Sequence, residues 1–320
     1  MSDLSNGVSP VTRRLRAYFA PVNRATGVPT IFDAARDGRF GLDTPPAPWL
    51  DLGWCEAFRR RSGEGTNSGV SPLQAGSPAF TATQVRTLFE AIVEIEFTCW
   101  GKLQMALACG SQQMNLLETG NAAAPNGSGG IAAAPVPLQP GSTASSLQIG
   151  SAATGFSVGD LVSVDVDYTG QTGYLGSGVS GTYLRSPSEV NGDQNYIRRI
   201  SLNVGRIATI NAGALELEAP LLAGAPAAGM QLSRMIGFVD REGGCFFQEW
   251  SALFVMQGEQ GDRVIYHYPR LQTMQGAAET RETLSPPLDR LRLAGAFRAL
   301  PVIDTSDSER VLCFRSYLPA

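Results

Sequence analysis

The chain has 320 residues, 43% of them hydrophobic, and a formal net charge of −4. That content of apolar side chains excludes a disordered chain, and the lack of a net basic field argues against tight nucleic-acid binding. Its 36 glycines and 20 prolines, spread between short apolar runs, point to many turns and a mainly β fold of one large or two modest domains.

Five cysteines, an odd number with no CxxC spacing, exclude a disulfide framework and a zinc ribbon. Buried free thiols in a reducing cytosol are expected instead. No apolar run approaches a membrane span, and the first residues lack the hydrophobic stretch of a signal peptide. The expected protein is made in a cytoplasm and does not contact a membrane. Lys102 is the only lysine among the 25 basic residues. A GC-rich genome accounts for that bias, and so does a need for forked, interface-type ion pairs.

In chain order, residues 1–10 form a polar arm and 11–22 a strand ending at Pro21. Residues 23–48, with Pro29, Pro45, Pro46 and Pro48, are expected as loop. A second strand over 49–61 is anchored by Trp49, Trp54 and Phe58 and ends on Arg59, Arg60 and Arg61, a run expected to be solvated. Residues 62–78, rich in Gly, Ser and Pro, make a long loop of the kind that serves function or an interface.

Residues 84–117 are the organising stretch. Val85, Thr87, Phe89, Ala91, Val93, Ile95 and Phe97 alternate with Arg86, Leu88, Glu90, Ile92, Glu94 and Glu96. Period two predicts a half-buried strand over 85–98, about 50 Å long at 3.3 Å per residue. Val85, Leu88, Phe89, Ile92 and Val93 also share a helical face, but the β-branched content favours the strand. Trp100, Leu103, Leu107, Met114 and Leu117 then recur at helical spacing, with Thr98 as the cap and Gly110 as an early stop.

Residues 119–159 carry no charge. Their Ala, Gly, Pro and Ser content predicts a linker over 119–155. Short strands at 156–168, 196–204, 206–211, 214–218 and 231–239 predict an inserted small β-barrel or sandwich domain over 156–232. Residues 1–118 and 233–320 are then two parts of one domain. The C-terminal part contains a hairpin, 245–256 and 262–268, turning at QGEQG. A charged loop over 275–287 precedes a last pair, 288–303 and 310–318, with Leu291, Leu293, Phe297 and Leu300 as an apolar set.

The search for chemistry is negative. His267 lies between two tyrosines in a strand, and no GxSxG elbow flanks any serine. Asp165 and Asp167 begin like a calcium loop, but Gly176 stands where its closing Glu belongs. There is no GxGxxG after a strand and no phosphate-binding GxxxxGK[ST]. Phe246, Phe247 and Trp250 are expected in the core. No catalytic residue, cofactor or metal is assigned, and no enzyme is expected. Glu90, Glu94 and Glu96 are expected as a solvated acidic wall. Such a wall suits a surface past which DNA slides, because free cations there would hold phosphate.

The segments TRRLRAYFAPVNR, EFTCWGKLQMALACGSQQMNLL and CFFQEWSALFVMQGEQGDRVIYHYPRLQTM resemble the major tail tube proteins of long-tailed bacteriophages. The element order is similar too: an arm, two strands with a long loop, a strand, a helix and two hairpins. The resemblance implies a tail-tube-like β-sandwich or barrel with one flanking α-helix. It implies a homo-oligomer, stacked rings of six that form the phage tail tube, a conduit for DNA ejection. Glu90, Glu94 and Glu96 are then lumen-facing candidates, and the 62–78 loop and N-terminal arm reach the next ring. Genomic DNA would pass without specific binding. The other tail proteins, namely the tape measure, terminator and baseplate, would be partners, and the virion tail the location. Residues 119–228 depart from the smaller family members and resemble the extra β-domains that some tubes display outward. Family members with two fused tube domains form trimers, but no duplication is visible here. Alternatives are another virion component (capsid decoration, neck or baseplate) and a β-rich hydrolase working through carboxylates or His267.

Overall fold

The structure is a computed structural model that describes residues 12–22, 27–62, 70–75, 80–86, 90–109, 112–117, 136–165, 204–221, 224–241, 249–274, 278–285 and 288–320. It is mainly β. The chain opens with β1 (Thr12–Pro21), a short helix α1 (Ala34–Asp37), β2 (Leu50–Ser62), β3 (Val70–Ala75), β4 (Phe80–Arg86), β5 (Ala91–Phe97) and helix α2 (Lys102–Cys109). There follow β6 (Gln112–Leu117), β7 (Val136–Pro137), β8 (Ser146–Gln148), a 3-10 turn (Gly150–Gly155), β9 (Leu161–Asp165), β10 (Val204–Asn211), β11 (Ala214–Leu217) and β12 (Gln231–Arg241). The last elements are β13 (Glu249–Gly258), β14 (Arg263–Thr273), β15 (Ala278–Ser285), β16 (Leu288–Ala299), β17 (Val302–Ile303), β18 (Arg310–Val311) and β19 (Phe314–Leu318). Two compact units result: Met1–Asn23 with Gly27–Gly110 and Cys245–Ala320, and Arg24–Thr26 with Ser111–Gly244.

The first unit is a closed, six-stranded antiparallel barrel in the order β16-β5-β2-β1-β13-β14, with β15 and β19 at the flanks. Closure comes from three pairs between β14 and β16: Leu271 with Ala299, Gln272 with Arg298 and Thr273 with Phe297. A barrel of this size is filled by side chains. Phe19 meets Phe254 and Phe297 at ring separations of 6.0 and 5.6 Å, and Phe254 meets Tyr268 at 5.9 Å. A register shift in β2 between Glu56 and Arg59, with Ala57 at φ 50°, adds a bulge. Beyond it Phe58 packs on Phe254 and Tyr266.

Residues 15–20 of β1 and 250–255 of β13 are buried on both faces, so apolar side chains fill most of those positions, Arg16 and Ser251 being the exceptions. Their outer face carries Tyr18, Ala20, Leu253 and Val255, packed against Phe32 and Trp49 from the segment between β1 and β2. Polar bonds fix that segment. Arg16 pairs with Asp51 and, at 2.6 Å, with Asp43, and its guanidinium lies 5.0 Å from the Trp54 ring. Tyr18 donates to the Leu42 carbonyl at 2.8 Å, and Arg263 to the Phe40 carbonyl at 2.6 Å. The segment expected as loop also contains α1, capped by Asp33, whose side chain accepts from Ala35 and Arg36 N–H.

Several expectations are corrected. The single strand over 85–98 is two strands, β4 and β5, in different sheets. β5 keeps the alternation, with Ala91, Val93, Ile95 and Phe97 inward. The 62–78 loop contains β3, which pairs with β4 as a separate hairpin. The helix ends at Cys109, and Met114 and Leu117 fall instead on β6, which pairs with β12. Tertiary pairing overrides a helical spacing that was only short-range. Thr98 does not cap α2; its hydroxyl donates to the Trp54 carbonyl at 2.6 Å. α2 packs against the inward side of β16, where a Cβ on Gly295 would stand 3.3 Å from Ala108 Cα. The Thr273 hydroxyl holds the Leu107 carbonyl at 2.7 Å. Of the cysteines, Cys55 is buried, Cys109 and Cys313 are half-buried and Cys99 is exposed, all as free thiols; Cys245 lies outside the described residues, as do the arm 1–10 and residues 119–135.

The second unit holds a sheet in the order β6-β12-β9-β10-β11-β8, with β7 beside β12. Leu147, Ile149, Val162, Val164, Ile207, Leu215 and Leu232 form its core. The linker expected over 119–155 is therefore structured from Val136 onward. Its sparse apolar residues, Leu147 and Ile149, are enough because β9, β10 and β12 supply the rest of that core.

Phe254→Ala removes the ring shared by Phe19, Phe58 and Tyr268 and should lower stability by about 3–5 kcal/mol, read as a shifted urea midpoint at unchanged slope. A loss under 1 kcal/mol would mean that the barrel interior is not packed as described.

Candidate functional site

β5 lies between β2 and β16, so the outward side chains of its acidic face look along two arginine-bearing strands. Glu94 receives Arg61 at 3.2 Å and Arg59 at 3.8 Å from β2. Glu90, just before β5, receives Arg298 at 2.7 Å, and Glu96 receives Arg292 at 2.6 Å. Arg292 is the hub. Its other nitrogens reach Glu56 on β2 at 3.0 Å and Glu282 on β15 at 2.7 Å, and Arg290 joins Glu282 at 2.5 Å. The two arginines hold the Glu282 carboxyl below its ordinary range, Arg290 contributing first. Glu282 and Glu96 in turn raise Arg292.

The expected acidic wall is thus corrected in one respect. The three glutamates do sit outward, but each is tied to arginine. Glu56, Glu90, Glu94, Glu96 and Glu282 face Arg59, Arg61, Arg290, Arg292 and Arg298, and the set is charge-balanced. Exposed pairs of this kind add little stability singly, and their value lies in the network. Sequence reasoning missed the partners because the Arg59 to Arg61 run resembled a solvated end. The signal was available in β16, where Arg290 and Arg292 alternate with Leu291 and Leu293.

His267 is not at this face. It is 3% exposed on β14, stacked on Phe314 at 5.7 Å and edge-on to Trp49 at 5.9 Å. Its Nε2–H donates to the Thr30 carbonyl at 3.3 Å. Burial pushes its pKa down to about 4, with the Thr30 bond opposing. It is a packing residue that holds the covering segment to the barrel. Trp250 is buried in the barrel, while Phe246, Phe247, Asp167 and Gly176 lie outside the described residues. Among the described residues no cluster of His, Cys, Asp and Glu is arranged to hold a metal, and no helix is long and apolar enough to cross a membrane.

No protein-family model matches the chain, and no curated protein matches it.

The low His267 pKa has a thermodynamic consequence. The unfolded chain, with an ordinary value of 6.5, takes up a proton before the folded one does. Stability from this site is intact above pH 6.5 and declines as pH drops from 6.5 towards 4. His267→Gln keeps an N–H donor and removes the titration. Between pH 8 and pH 5 the parent protein should lose about 2 kcal/mol more than this variant in urea unfolding. Equal losses would show that His267 is not buried in its neutral form.

Proposed function

We propose that the protein is a structural subunit that self-assembles into stacked rings forming the tail tube of a long-tailed bacteriophage, a conduit for genomic DNA. The observation that carries this reading is the β3–β4 hairpin. It follows the β2–β5 ladder in register order, Ser62 opposite Ala91 and then Val70 opposite Arg86, yet it forms a two-stranded sheet of its own. An isolated two-stranded hairpin is marginal in water, and a second copy of the chain is the natural support for it. The filled barrel interior also supports assembly, because a bore must then lie between copies rather than through one.

On this reading the β5 face lines the bore, with Glu90, Glu94 and Glu96 toward the lumen. Their arginine partners make the lining balanced rather than acidic. Guanidiniums engaged by carboxylates offer phosphate little hold, so a polyanion slides. Rings of six, the tape measure, terminator and baseplate as partners, and a place in the virion tail belong to the same proposal, which rests for them on the sequence resemblance.

Concentrated purified protein should form rings or tubes by negative-stain electron microscopy. Deleting residues 70–86 should abolish stacking while leaving the melting transition of the barrel in place. A chain that stays monomeric at high concentration sinks the proposal. Closed rings that never stack would point to a neck or decoration component instead.

A further inference from the structure

The segment that covers β1, β13 and β14 is held differently in its two halves. Guanidiniums tie the second half: Arg16 bonds Asp43 and Asp51, and Arg263 bonds the Phe40 carbonyl. In the first half, residues 27–32, Phe32 is the one buried side chain, and Val28 and Ile31 are each 58% exposed. Thr30 fastens this half by both of its peptide groups. Its N–H donates to the Ser251 hydroxyl at 2.9 Å, which donates in turn to the Pro269 carbonyl at 2.7 Å. Its carbonyl accepts the His267 Nε2–H.

His267 thus lies directly under residues 27–32. Phe314 stacks on the imidazole, and the Trp49 and Phe32 rings stand edge-on at 5.9 and 6.4 Å. Among the described residues no ionised group faces it. On β14 its neighbours Tyr266 and Tyr268 turn to the barrel interior. On β13 the residue opposite is Leu253. On β19, Cys313 and Arg315 flank Phe314 and take the other face of the sheet. A proton on His267 therefore adds an N–H with no acceptor and a charge with no counter-ion, in a site closed to water.

We propose that residues 27–32 form an acid-released strap: protonation of His267 lifts them off the closed barrel, up to the α1 cap at Asp33. Lifting hydrates the imidazole and uncovers the apolar strip of Leu253, Val255 and Ile265. The device works within one copy and does not depend on assembly. Its sign follows from linkage. The uncovered imidazole has the ordinary value of 6.5 and the covered one about 4, so opening gains as pH falls below 6.5. The open fraction should rise about thirtyfold between pH 7.5 and pH 5, a window above the ordinary carboxylate range.

The test is amide hydrogen exchange in the full chain, corrected for the intrinsic effect of pH. The Thr30 amide reports the strap and the Leu253 amide the barrel. Thr30 should exchange from a far larger open fraction than Leu253, and that fraction should show the thirtyfold rise. His267→Gln should flatten the rise to less than about threefold. A second variant, Phe32→Ala, loosens the strap and keeps the titration. There the NMR signal of the chain's single histidine should titrate closer to 6.5 than in the parent protein. Equal open fractions at Thr30 and Leu253 would mean that the segment opens only with the barrel, which overturns the proposal. A Thr30 fraction that does not change with pH overturns it too, as does an unmoved histidine titration in Phe32→Ala.

Discussion

The first unit depends on a short seam. Among the described residues three pairs join β14 to β16, flanked by the Met274 N–H donating to the Ala296 carbonyl and the Leu300 N–H to the Arg270 carbonyl, and these contacts turn an open sheet into a barrel. Closure fixes what lies inside, because six strands leave room for side chains and nothing more. Phe297 stands at the seam, pairs with Thr273, and packs on Phe19 across the interior. Thr273 also fastens α2 through the Leu107 carbonyl. One stretch of β14 and β16 therefore sets the barrel, its filling and the position of the helix against it.

The outer surface of the barrel is used in two different ways. Over β1, β13 and β14 it is apolar and covered by the segment carrying Phe32, Phe40 and Trp49, with His267 and Arg16 holding that cover in place. Over β2, β5, β16 and β15 it is a field of paired charges. The neighbours decide the difference. β1 and β13 sit under a loop rich in aromatic residues, so both their faces exclude water, while β5 has arginine strands on each side and no cover among the described contacts. On that face the carboxylates and guanidiniums pair with one another, and the set of five Glu and five Arg is neutral in sum.

The sequence by itself determined the class of fold, because turn residues between alternating apolar runs leave few other solutions. It also determined which face of β5 points inward, since period two admits only two choices and Val93, Ile95 and Phe97 settle it. The β13–β14 hairpin and its QGEQG turn were legible for the same local reason. Only the tertiary structure decided the partners. Glu94 and Glu96 look solvated in one dimension because Arg61 and Arg292 lie far along the chain and arrive only through the pairing of β2 and β16 with β5. Met114 and Leu117 carry helical spacing but lie in a strand because β12 offers a ladder. Leu147 and Ile149 look too sparse to bury anything until distant strands complete their core. Local periodicity reports how a segment divides its faces, and long-range pairing decides what each face meets.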